Sequence, residues 1–198
     1  MTRTPQQRTP TDRLPADPAA PAAAALRTNQ DLDPGRLREV FGIYPSGVVA
    51  VAALVDGVIV GLAASSFTSV SLDPPLVSFS IANTSRTWPD LQRAAHLGVT
   101  ILADHHSAVA RQLAGAVDQR FAGLPLTTTA DGAVTIDDGL AQFETTIHDV
   151  LPAGDHTIVL LRLHAARRGA PADPSPLVFH RSRFGRLHPG EGPVRPPA

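Results

Sequence analysis

The sequence predicts a mainly β protein with short helices, folded as a closed antiparallel barrel. Three observations lead to that class. Apolar runs of strand length recur along the chain and are bounded by turn residues. Asp56-Gly57 separates residues 48–55 from Val58-Ile59-Val60, and an Asp-Gly pair between apolar β-branched runs is the strongest short-range hairpin signal. Helical patterns are few and brief. Many strands and hairpins with little helix favour a closed sheet, which hides its edges.

Residues 1–33 are rich in Ala, Pro, Thr, Arg and Asp. Such a stretch buries too little surface to offset its ordering entropy, so it reads as a flexible tail. Residues 189–198 read likewise, which leaves 34–188 as the folded domain. Asp33-Pro34 opens a short helix. Asp33 caps it, Pro34 suits its first turn, and Leu37, Val40 and Phe41 share one face. Gly42 ends it, and Pro45-Ser46-Gly47 is a loop. After the hairpin, residues 76–81 read as a strand entered by the rigid Asp73-Pro74-Pro75. Residues 87–94 read as a short helix, 97–102 as a strand, and 107–113 as a helix with Val109 and Leu113 on one face. Residues 114–139 are loop-rich. Residues 143–150 and 157–165 form two longer strands, 177–180 a last strand, and 183–187 extends the sheet.

Composition removes whole classes of function. The chain has 198 residues, enough for one domain with a real core. Its net charge of −1 leaves no basic footprint for nucleic acid. With no cysteine there is no disulfide, thiolate metal site or cysteine nucleophile. With no lysine there is no Schiff base and no P-loop lysine. No apolar run reaches the roughly 20 residues that cross a bilayer, and Met1-Thr2-Arg3-Thr4-Pro5 does not open a secretory signal. A cytoplasmic protein without membrane contact is expected.

Two segments could carry chemistry. In Gly61–Pro75, the small hydroxyl residues Ser65, Ser66, Thr68, Ser69 and Ser71 let a ligand lie close to the backbone. Hydroxyls and free N–H groups together bind an anion or the polar edge of a planar ring. By residue types alone the more ordinary reading is a Ser/Thr-rich strand on a half-exposed face. The second segment, Asn83-Thr84-Ser85-Arg86-Thr87-Trp88, sets an arginine among hydroxyls at a helix start. That suits phosphate; simple capping of the helix with a solvated Arg86 is the plainer alternative. The segments bracket one strand, so barrel closure has to bring them together. Asp104-His105-His106 looks metal-like, but neighbours on a strand point to opposite faces, and no metal site is expected. His148, His164 and His180 read as surface or barrel-mouth residues. Asp137, Asp138 and Glu144 show no carboxylate-pair spacing.

The ordered set of segments resembles the flavin reductase-like family of FMN-binding split barrels, the reductase components of two-component flavin monooxygenases. The resemblance rests on residues 61–75 and Ser85-Arg86-Thr87-Trp88, with Tyr44-Pro45-Ser46-Gly47-Val48 before them. Asp118-Gln119-Arg120-Phe121-Ala122-Gly123, Gly154-Asp155-His156-Thr157 and the run from Pro176 to Gly185 follow in the family's order. It spans roughly residues 36–188.

The resemblance implies a site. Ala63, Ala64, Ser65, Ser66, Val70 and Ser71 would line the isoalloxazine and ribityl chain. Asn83, Ser85 and Arg86 would hold the ribityl-phosphate end, with Phe121 nearby. His156 would face the nicotinamide, and Phe184 would close the pocket. The family often has Thr where this chain has Ala63, a lost hydrogen bond of roughly 0.5–1.5 kcal/mol. The implied activity is hydride transfer from NADH or NADPH to FMN or FAD, serving a separate oxygenase, in a homodimer. Hydride transfer requires no acid or base, so no catalytic side chain is assigned. The alternatives are a pyridoxamine-phosphate-oxidase-like flavin protein without nicotinamide activity, and a ligand-free interaction module.

Overall fold

The computed structural model describes residues 32–169 and 175–187. The expected tails, 1–33 and 189–198, lie outside those residues apart from Leu32 and Asp33. Helix α1 (Pro34–Phe41) forms as the sequence suggests: Asp33 Oδ1 accepts from the N–H groups of Gly35 at 2.9 Å and Arg36 at 3.1 Å. Its apolar residues are not covered, however; Val40 is 50% and Phe41 66% exposed.

Strands β1 (Ser46–Gly47), β2 (Val49–Val55), β3 (Val58–Ala64), β4 (Thr68–Leu72) and β5 (Pro75–Ala82) follow. The β2–β3 turn has Asp56 at φ 51° and Gly57 at φ 79°, the two positive values a tight hairpin turn needs. Short helix α2 (Trp88–Leu91), strand β6 (Leu97–Ile101) and helix α3 (Ser107–Leu113) come next. The loop-rich stretch hides a small hairpin, β7 (Leu126–Thr128) and β8 (Val134–Ile136). The long ribbon of β9 (Ala141–Ala153) and β10 (His156–Arg168) precedes the terminal hairpin, β11 (Leu177–His180) and β12 (Arg183–Arg186).

The main sheet is antiparallel and seven-stranded, in the order β3-β2-β6-β9-β10-β5-β4. It is not the hydrogen-bonded closed barrel that the sequence suggested, because edge strands β3 and β4 do not pair. The sheet is nevertheless strongly curled. Only Ser65-Ser66-Phe67 connect the two edges, a reach of roughly 14 Å at most. The Ser66 hydroxyl spans part of the opening, accepting from Ser80 N at 2.9 Å and donating to Ser80 O at 3.1 Å.

The unbroken apolar run of β2 has a direct cause: both of its faces are buried. Val49, Val51 and Ala53 point into the main core with Val77, Phe79, Leu97 and Leu161. Val48 and Ala50 point the other way, into a second core with Leu102, Leu113, Ile136 and Leu177. The β7–β8 hairpin lies against that sheet, tied by Leu54 N donating to Gly132 O at 2.8 Å. Gly98 on β6 permits it, since a Cβ there would collide with the Val134 backbone. Gly98→Ala is therefore expected to destabilise the protein by about 1–3 kcal/mol. Urea unfolding measures this, and an unchanged midpoint would contradict the close crossing of β8 over β6.

Candidate flavin cleft between two sheet edges

A cleft of about 500 Å³ opens where β3 and β5 diverge, within the range of small-molecule sites. Of the residues expected at a site, Ala63, Ala64, Ser65 and Ser66 line one wall. Ser85, Arg86 and His156 line the other side. The two candidate segments do meet, for a reason the sequence reading did not find. The β4–β5 hairpin carries the chain out and back, pairing Thr68 with Ser78, so residues 65–66 and 83–87 end at the same edge of the sheet.

The backbone of β3 faces this cleft. Arg120 Nη1 donates to Gly61 O at 2.9 Å, so the carbonyl of Gly61 points away from β2. With period two, the N–H and C=O of Ala63 point the same way. The opposite parity agrees: Val48 O accepts from Leu102 N at 3.0 Å, on the β6 side of β2. Ala63 thus presents main-chain groups to the cleft.

Arg86 is exposed and has no hydrogen bond or ion pair among the described residues. It does not sit on a capped helix start. Thr87 makes no side-chain cap to α2, and its hydroxyl accepts from Arg120 Nη1 at 2.8 Å instead. Ser85 Oγ accepts from Thr87 N at 3.3 Å, which fixes the turn that carries Arg86. At the mouth, His156 Nδ1 lies 2.8 Å from Asp155 Oδ1, and this bond holds the Asp155 carboxyl below its ordinary pKa.

The remaining expected residues lie elsewhere. Asn83 is spent on the β9–β10 turn: its Nδ2 donates to Gly154 O at 3.1 Å and its Oδ1 accepts from Thr157 Oγ1 at 2.9 Å. Val70 and Ser71 lie on the outer edge strand β4, Val70 at a bulge in the β4–β5 register. Phe121 stands behind the cleft wall, where a Cβ on Gly61 would lie 2.6 Å from its ring. Phe184 packs on Phe179 with centroids 5.3 Å apart and lines a different cavity beyond α3. Arg120 is the main residue that sequence reasoning passed over. It ties Gly61 and Thr87 to Gly115, whose carbonyl accepts from Nε at 3.1 Å. Its position inside the Asp118–Gly123 segment was the available signal. Asp104-His105-His106 is a 3-10 turn and not a strand, so the two imidazoles lie together at 4.1 Å rather than on opposite faces.

The family model "Flavin reductase like domain" matches residues 41–188. A flavin reductase of Pseudomonas putida is 37% identical over 163 residues, covering 82% of this chain and 95% of that protein. The crystal structure of nitrilotriacetate monooxygenase component B from Mycobacterium thermoresistibile has a TM-score of 0.77 at 31% identity, covering 80% of this chain and 89% of that one. The NADH:FAD oxidoreductase of Streptomyces globisporus C-1027, solved with NAD and FAD fragments, has a TM-score of 0.73 at 32% identity, covering 79% and 94%. The chain belongs to the flavin reductase-like domain family.

Proposed function

We propose that this protein is an NAD(P)H-dependent flavin reductase, taking FMN or FAD in the cleft between β3 and β5 and supplying reduced flavin to a separate oxygenase. One observation carries the reading: segments parted by a whole hairpin converge on a single cleft, in a chain of this family. The names of the relatives, a flavin reductase, a monooxygenase component and an NADH:FAD oxidoreductase, support each part of it. In this reading the fold is a split barrel, and the split between its edge strands is the flavin site.

The residues present suit the cofactor. The Ala63 backbone offers a donor and an acceptor to the polar edge of a planar ring, and Ser65 adds an exposed hydroxyl. Arg86, which has no partner among the described residues, offers its guanidinium to phosphate, where charge-assisted hydrogen bonds are strongest. Flavin supplies the hydride-accepting chemistry, and the protein supplies binding, orientation and exclusion of water. His156, held by Asp155, positions the nicotinamide at the mouth. Arg120 keeps the wall in place without reaching the reacting atoms.

Val40, Phe41, Ile43 and Tyr44 expose a run of apolar surface, which supports a homodimer. Among the described residues no helix is long and apolar enough to cross a membrane, and a nicotinamide-linked reductase draws on the cytoplasmic cofactor pool.

Purified protein mixed with NADH or NADPH and FMN or FAD is expected to consume the reduced-nicotinamide absorbance band. No consumption with any of the four pairs sinks the reductase reading. Arg86→Ala is expected to raise the flavin Kd by about tenfold or more, the loss of a charged hydrogen bond of roughly 1.5–3 kcal/mol. A titration showing wild-type affinity would displace the phosphate from Arg86. Arg120→Lys keeps the charge but cannot make the three bonds of the guanidinium. It is expected to lower the thermal midpoint and weaken flavin binding together; a change in neither would show that the wall stands without it.

A further inference from the structure

We propose that His96, Asp131 and Glu144 form a divalent-metal site of the zinc or manganese class, remote from the flavin cleft. The three come from separate parts of the chain: the loop before β6, the turn of the β7–β8 hairpin, and β9. One ligand atom from each lies within 4.8 Å of the other two. Metal–ligand bonds of about 2.0–2.2 Å span ligand atoms up to roughly 4.4 Å apart, so small side-chain movements complete the set. An imidazole with two carboxylates suits a borderline or hard divalent ion, with water in the open positions.

The charges call for a cation. His96 Nδ1 lies 2.7 Å from Glu144 Oε1, and Thr129 Oγ1 donates to that same oxygen at 3.2 Å. Glu144 Oε2 has no partner among the described residues, and no arginine pairs with Glu144 or Asp131 there. His96 and Glu144 pair in a half-buried setting, with 24% and 21% of their side chains exposed, and the exposed Asp131 stands beside them without an ion-pair partner among the described residues.

The ring plane of His96 is also supported. The β9–β10 register steps from Leu163↔Thr145 to Ala165↔Glu144, leaving His164 as a bulge residue. Bulges re-aim a side chain. The His164 ring stacks on His96 at 5.4 Å and 24°, with its Nε2 2.8 Å from Thr146 Oγ1. His164 is eight residues along β10 from His156, roughly 26 Å away. The neighbouring set His105, His106 and Asp138 is different. His106 Nδ1 accepts from Ala103 N at 3.1 Å, and burial holds its pKa down. A neutral ring in that state carries its proton on Nε2, so neither nitrogen is free for a metal.

Chelator-treated full-length protein, titrated with Zn²⁺ and separately with Mn²⁺, tests the site by calorimetry and thermal unfolding. Saturable one-site binding with a raised midpoint is expected for at least one ion. Asp131→Asn, a change on an exposed turn, is expected to weaken binding by about tenfold or more. Asp138→Asn is expected to leave it unchanged. Absence of saturable binding by both ions, or binding lost in Asp138→Asn and retained in Asp131→Asn, would overturn the proposal. Neither result touches the flavin reading, which rests on other residues.

Discussion

Ser66 makes the contact on which the site depends. The chain must pass from one edge of a seven-stranded sheet to the other within three residues. No ladder can form across that gap. The Ser66 hydroxyl replaces it, taking the N–H of Ser80 and giving its own proton to the Ser80 carbonyl. Such bonds are each worth only about 0.5–1.5 kcal/mol net. Their value here is positional, because they set how far the two edges stand apart. The main-chain groups of β3 that point away from β2 pair with no strand among the described residues, and they face the cleft.

The cleft needs a rigid back wall, and β2 provides it. A strand buried on both faces cannot shift register without exposing apolar side chains on one side or the other. Its inner face joins the curled core; its outer face is covered by α3, β8 and β11. Phe121 and Arg120 then press from opposite sides of the same short loop. Phe121 fills the space that Gly61 leaves open, and Arg120 holds the Gly61 carbonyl, the Thr87 hydroxyl and the Gly115 carbonyl at once. The two candidate segments are thereby fixed to one loop that neither contains.

Local signals were read well wherever chain geometry alone decided the outcome. The Asp33 cap, the Asp56-Gly57 turn and the α3 span depend on a few neighbouring residues, and they form as expected. The β7–β8 hairpin is not legible in the sequence because Thr127, Thr128 and the short Val134–Ile136 run are too brief to show alternation; its turn, at Gly132, is held by the distant backbone of Leu54 on β2. Asn83 shows the same dependence on a distant partner. The resemblance set it at the ribityl-phosphate end with Ser85 and Arg86, and the far Gly154 carbonyl and Thr157 hydroxyl claim both ends of its amide. The strand expected over 97–102 does not reach Asp104–His106; strand geometry was assumed only for the adjacent histidines, and the 3-10 turn there is set by the buried His106 ring accepting from Ala103 N.

By itself the sequence determined the strand-rich class, the main hairpin, and the segments that carry the family likeness, since turn chemistry and side-chain period are local properties. Seven of the twelve residues it singled out line the cleft. Only the tertiary structure decided that those segments meet, that the sheet stays open at β3 and β4, and that the Ala63 backbone points to the cleft. It alone relegated Val70, Ser71, Asn83, Phe121 and Phe184 to other surroundings. These outcomes turn on strand order, parity and which distant groups compete for each hydrogen bond, and none of the three is encoded within a short window of residues.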